Sequence, residues 1–277
     1  MGLGEPPARP RAAGWARTAV RRAGYLLATT PPGVSVWTPL HAVDPTGAVV
    51  LVVPATDPLV AAVRKTAPDP GCWPGPGLIA MLEAREESPL PLPCPIRARA
   101  RLEGRLRELP TDAARSGALE IALRRPADEL LDLGAGHTAL ELQVDRVELV
   151  VSHPDPNRER PFVVSGPSWA AADPDLLADE ESLHLTHLVQ VHQPALAMLR
   201  WALEPELRRR AGRLAPARLD RHGLELWAAT PEGWERARLP FEIPLTSPDQ
   251  LPGAIHLLLS RAKACCRERL APRPAAG

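Results

Sequence analysis

Lysine is almost missing from this chain: of its 33 basic residues only Lys65 and Lys263 are lysine, in a sequence crowded with Ala and Pro. That bias reads as the codon usage of a GC-rich genome. Net charge is missing as well. The 33 Lys+Arg balance 33 Asp+Glu, so no global basic field exists to hold a nucleic acid by counterion release. No apolar run approaches the ~18 residues a membrane-spanning helix needs, and Met1 to Arg22 lacks the continuous apolar stretch of a secretory signal. Cysteine is scarce. Cys72, Cys94, Cys265 and Cys266 show no C-x-x-C spacing, and the adjacent pair would point to different sides of a helix. Together these absences predict a cytoplasmic protein with reduced thiols and with neither nucleic acid nor membrane as partner. P-loop, G-x-G-x-x-G, H-E-x-x-H and G-x-S-x-G motifs are also lacking.

What is present is an ordinary globular composition, 45% apolar and 24% charged, over 277 residues, a length comfortable for two domains. Thirty-four prolines cut the elements short. Residues 1 to about 13 read as a frayed arm, with Arg17, Arg21 and Arg22 on a solvated helix face. Short strands follow from Tyr25: Gly33 to Trp37 alternates, Asp44-Pro45-Thr46-Gly47 is a turn, and Ala48 to Val53 is an apolar run. Pro58 to Lys65 suits a short helix, and Pro68 to Gly77 must be loop.

The clearest strand is Ile96 to Arg107. Ile96, Ala98, Ala100, Leu102 and Leu106 share one parity, and arginines 97, 99, 101, 105 and 107 share the other. Gly104 is a candidate bulge, and a parity switch between Val144 and Val147 in the strand Leu140 to Val151 suggests another, as a curving barrel requires. After the loop-rich stretch from Pro154 to Pro174 the texture changes. Leu185, Leu188, Val189, Leu196 and Leu199 predict an amphipathic helix over 179–203, kinked or restarted at Pro194. A hairpin turning at Thr230-Pro231-Glu232-Gly233 follows, then Ser247-Pro248-Asp249-Gln250 as a capping box before a final helix over 255–269.

Candidate chemistry is sparse. His184 and His187 neighbour each other on the predicted helix, and His192 falls on its apolar stripe; no Asp or Glu is interleaved at ligand spacing, so no metal site is assigned. His192 reads either as a core or interface histidine or as a ligand contact. His41, after a strand and before a turn, and His137, in a Gly-flanked loop, read either as axial ligands or as loop residues. The arginine row headed by Arg97, Arg99 and Arg101 would suit phosphates or propionates, or else is a solvated face paired with acidic residues of a neighbouring strand. Tryptophans 73, 169, 201, 227 and 234 could stack on a flat ring or fill cores.

The order short barrel, Pro-rich linker, helix–hairpin–helix resembles the haem-utilisation (HugZ-type) family, in its actinobacterial branch. The carrying residues are His187-Leu188 with His192 and Ala195-Leu196, Leu219 to Leu224, Arg238 to Phe241, Pro244 and Ser247-Pro248-Asp249, with Leu40 to Asp44 and Arg97 to Gly104 in the barrel. The resemblance implies an α+β fold: an N-terminal arm or helix at 1–23, a split β-barrel at 24–160 like that of pyridoxamine-phosphate oxidases, a linker at 161–178, a C-terminal α+β domain at 179–270 and a tail at 271–277. It implies a homodimer with a haem or flavin site near the barrel interface, for which His41, Arg97, Arg99, Arg101, His187 and His192 are the candidate ligand-binding residues.

Three departures qualify this. Val189 and Val191 stand where the family shows Asn and Asp. Ala55 to Val60 offers no cation for a flavin phosphate before Arg64. The tail has no histidine, where haem-degrading relatives take an axial ligand. The expectation is therefore a cytoplasmic haem- or tetrapyrrole-binding protein, or a regulatory one acting on a protein partner in tetrapyrrole metabolism, without FMN. The competing expectation is an enzyme: haem oxygenase-like cleavage, or a flavin or deazaflavin oxidoreductase.

Overall fold

The computed structural model describes residues 9–31, 33–66 and 77–270. The expected loop before Gly77, Cys72, Trp73 and the tail 271–277 lie outside them. The chain opens with helix α1 (Arg9–Arg22) and strands β1 (Leu26–Thr30), β2 (Val34–Thr38), β3 (Leu40–Val43) and β4 (Val49–Pro54). Helix α2 (Pro58–Thr66), β5 (Leu78–Glu87), β6 (Ile96–Glu108), α3 (Thr111–Ala122), β7 (His137–Val151), β8 (Pro161–Ser165) and the short α4 (Gly166–Ala170) complete the first unit. Its strands form one antiparallel sheet ordered β2-β1-β5-β6-β7-β4-β3. The long β7 is shared: its first half pairs with β4 and its second half with β8.

The sheet curls because β7 carries an extra residue. Glu103 pairs with Arg146 and Gly104 with Val144, leaving Asp145 bulged. The two bulges expected from sequence are thus one feature seen from its two strands. Gly104 is required there, since a Cβ would lie 1.9 Å from the Gln143 carbonyl oxygen. Inside the curl lies α1, whose Ala12, Ala16, Ala19 and Val20 are buried against Leu51, Leu82, Leu102 and Leu149. Small side chains let the helix approach the strands closely, so burial here follows from smallness as well as hydrophobicity. This corrects the arm reading: the helix starts at Arg9, Arg17 is buried against the Trp169 ring, and Arg22 reaches into a buried ion network.

The second unit comprises α5 (Glu181–Val191), α6 (Gln193–Leu199), α7 (Pro205–Arg210), β9 (Leu214–Asp220), β10 (Gly223–Thr230), β11 (Gly233–Pro240) and α8 (Leu251–Leu270). The hairpin turns where expected, Thr230 pairing with Gly233, but β9 adds a third strand. The predicted 179–203 helix is broken at His192, just before Pro194. The Gln250 carboxamide oxygen accepts from the Thr246 and Ser247 amides ahead of α8, in the expected cap position. The stretch 161–178, expected as linker, instead extends the barrel: β8 joins the sheet, and Trp169 is buried in its core with its indole N–H on the Gly47 carbonyl. The architecture is α+β, an antiparallel split β-barrel followed by a small helix-and-sheet unit.

Candidate functional site

Helix α5 buries Leu185 and Glu181 and turns Leu183, His187 and Val191 outward in a ridge of four-residue steps. Leu183 is 69% and Val191 58% exposed. At the end of this ridge the backbone of His192 leaves the helix (φ −116°, ψ 39°), its amide still closing on the Leu188 carbonyl. The break swings the His192 ring back over His187. The two Nε2 atoms come to 3.1 Å with the rings edge-to-face, and both residues are exposed. This corrects the sequence reading twice. His192 is not on the buried stripe, because the helix ends before it, and His187 pairs with His192 while His184 turns to Glu180 at 3.4 Å.

His41 lies inside β3 and is buried at 7% exposure, facing the end of α1 with its Nε2 3.1 Å from the Val20 carbonyl. It lies inside a strand and not in a loop beside a turn, and its Nδ1 is buried as well. Burial is the main reason its pKa falls to about 4; the Val20 carbonyl opposes the fall and the cations Arg125 and Arg124 add to it. His137 begins β7 and faces Asp132 at 3.2 Å.

The arginine row does not act as one face. Arg99 pairs with Glu159 at 2.9 Å and Arg101 with Glu83 at 3.5 Å, both partly solvated. Arg97 departs from the row because it is bulged: Glu86 pairs with Ala98 and Glu87 with Ile96, leaving it without a partner across β5. It is 4% exposed and points to the junction of the two units. There it donates to both Glu181 oxygens at 3.0 and 2.7 Å, to Glu86 at 2.9 Å and to the Ala217 carbonyl at 2.9 Å. Arg22 joins from α1 (3.0 Å to Glu86, 2.9 Å to Glu181) and Arg218 from β9 (3.1 Å to Glu86). Burial alone would raise the Glu86 carboxyl, but the field of Arg218, Arg97 and Arg22 overrides it and holds the group well below the usual carboxylate range.

The structure therefore distributes the predicted residues over four places: the α5–α6 corner, the β3–α1 contact, the outer sheet face and the junction. Only His187 and His192 meet. Glu86, Glu181 and Arg218 were not singled out from sequence and Arg22 was read as solvated; β5 has no apolar parity that would mark Glu86 as facing inward. Among the described residues no group of three or more His, Cys, Asp or Glu is placed to hold a metal ion, and no helix is long and apolar enough to cross a membrane. A half-open apolar groove of about 430 Å³ between α8 and the segment 240–246 contains none of the predicted residues.

No protein-family model matches the chain, and no curated protein matches it. Among solved structures it is similar to a heme binding protein from Mycobacterium smegmatis, with 23% identity and a TM-score of 0.62 over 95% of this chain and 100% of that one. It is more distantly similar to a protein of unknown function from Agrobacterium tumefaciens (16% identity, TM-score 0.41, 94% and 100% covered). A general stress FMN/FAD binding protein from Xanthomonas citri aligns at 10% identity and a TM-score of 0.37, over 53% of this chain and 93% of that one. The class that the fold defines is the split β-barrel carrying a C-terminal α+β unit, and the likeness to the mycobacterial protein extends it over both units.

Proposed function

We propose that this chain is a haem- or tetrapyrrole-binding protein of the haem-utilisation type, a cytoplasmic homodimer, and that His187 or His192 at its α5–α6 corner would hold the group. The observation that carries the reading is the His187–His192 pair at the end of an exposed apolar ridge. An axial ligand needs an imidazole nitrogen open on one side, and a macrocycle needs apolar surface beside it. His187 and His192 offer the first, and Leu183 and Val191 the second. His41 offers neither. The full-length likeness to a heme binding protein supports the ligand class.

When bound, the group would supply a redox-active iron centre. The chain's own part would be to present one Nε2 lone pair, with the ring proton then on Nδ1, and to offer the apolar side chains of Leu183 and Val191 for contact. Flavin has no part in this reading. Asp57 caps α2 through the Leu59 amide at 2.8 Å, so a carboxylate already occupies the start of that helix, where an anion would be disfavoured. Arg64, the next cation along the chain, is held by Glu108 at 2.6 Å.

The test is an absorbance titration with haemin. A Soret band that saturates at one haem per chain, persists in His41→Ala and is lost in the double variant His187→Ala/His192→Ala is expected. A band that never saturates, or one that only His41→Ala removes, contradicts the proposal.

A further inference from the structure

The His187–His192 geometry is unusual for residues five apart. On an unbroken helix such positions differ by about 140° around the axis and cannot face each other. They meet here only because α5 stops at His192 and α6 restarts at Gln193 behind Pro194. What results is two nitrogens 3.1 Å apart on exposed rings whose centroids are 4.8 Å apart. As a hydrogen bond between solvated groups this contributes little, since water competes for both partners. As a pair of donors it is well formed. Two nitrogens each about 2.1 Å from one ion lie about 3.0 Å apart at a right angle and about 3.4 Å apart at the tetrahedral angle. The observed 3.1 Å falls between these values.

We infer that His187 and His192 together bind one divalent late-transition ion, of the Zn²⁺, Ni²⁺ or Cu²⁺ class, at the α5–α6 corner. The ligand types select the class: imidazole suits these ions, whereas calcium and magnesium require oxygen donors. Among the described residues no third His, Cys, Asp or Glu joins the pair, and Glu180, just ahead of α5, faces His184. The protein therefore supplies two nitrogens and water completes the shell, which makes the ion exchangeable. Because a haem iron takes one of these nitrogens and the ion takes both, the two would compete for the corner.

The inference is tested on the tag-free, haem-free chain by calorimetric titration with Ni²⁺ alone, so that failure of the haem reading leaves the outcome interpretable. One saturable ion per chain is expected, weakened about tenfold or more in His187→Ala and in His192→Ala, a loss of about 1.4 kcal/mol or more each, and unchanged in His184→Ala. All three side chains are at least partly solvated, and circular dichroism of each variant should match the parent. Absence of saturable binding, or equal binding in all three variants, overturns the inference.

Discussion

At the scale of single residues, identity says less than surroundings. His41 and His192 have the same side chain and opposite situations, one sealed against α1 and one turned to solvent. His41 carries a pH signature. Its folded-state pKa of about 4 lies below the ordinary 6.5, so the unfolded chain takes up the proton first as pH falls. The stability it contributes is complete above about pH 6.5, is lost between there and about pH 4, and does not change further below. Between pH 7.5 and pH 5 the loss should be about 2 kcal/mol. Urea denaturation at the two pH values should show that difference in the parent chain and not in His41→Gln. Equal slopes in both would contradict the burial account.

At the scale of elements, legibility followed pattern. The strict alternation of β6 was readable because Ala and Leu face the core while, beyond the buried Arg97, the charged residues face out. Strand β5 was not: Ala80, Leu82, Ala84 and Glu86 face inward, and Ile79 and Met81 face outward, so neither parity is apolar. Strand β9 is buried along nearly its whole length and interrupted by Pro216, which leaves no alternation to find. Helix α1 hides its core role in alanines among arginines. The bulge was legible from both strands and yields a prediction at this scale. Gly104→Ala places a Cβ against the Gln143 carbonyl, and should destabilise the chain by about 3 kcal/mol. Thermal or chemical denaturation reads it. A loss below about 0.5 kcal/mol would mean that β7 can release its bulge without cost.

At the scale of the whole molecule, the buried ions join the two units. Arg22 and Glu86 come from the barrel's helix and sheet, Arg97 from its bulge, and Glu181 and Arg218 from the second unit. Such a network adds little net stability compared with apolar packing, but removing one member strands the others in a dry place. Arg97→Ala should therefore cost about 3–5 kcal/mol and uncouple the units. Hydrogen exchange should then report earlier opening in β10 than in β6, whereas both should open together in the parent chain. A cost below about 1 kcal/mol with joint opening would contradict the network's role. None of this was legible in sequence, because five charged residues scattered from 22 to 218 share no motif; the fold alone brings them together.

The α5–α6 corner depends on the same assembly, since Glu181 anchors the start of α5 at the junction while Pro194 sets its end. In the proposed function this corner, and not the barrel, receives the ligand, and hydrogen exchange with and without haemin locates the footprint. Protection concentrated at residues 183–192 is expected, with β3 and the outer faces of β5 and β6 unchanged. Protection centred on His41 or on the Arg99–Arg101 face would contradict it.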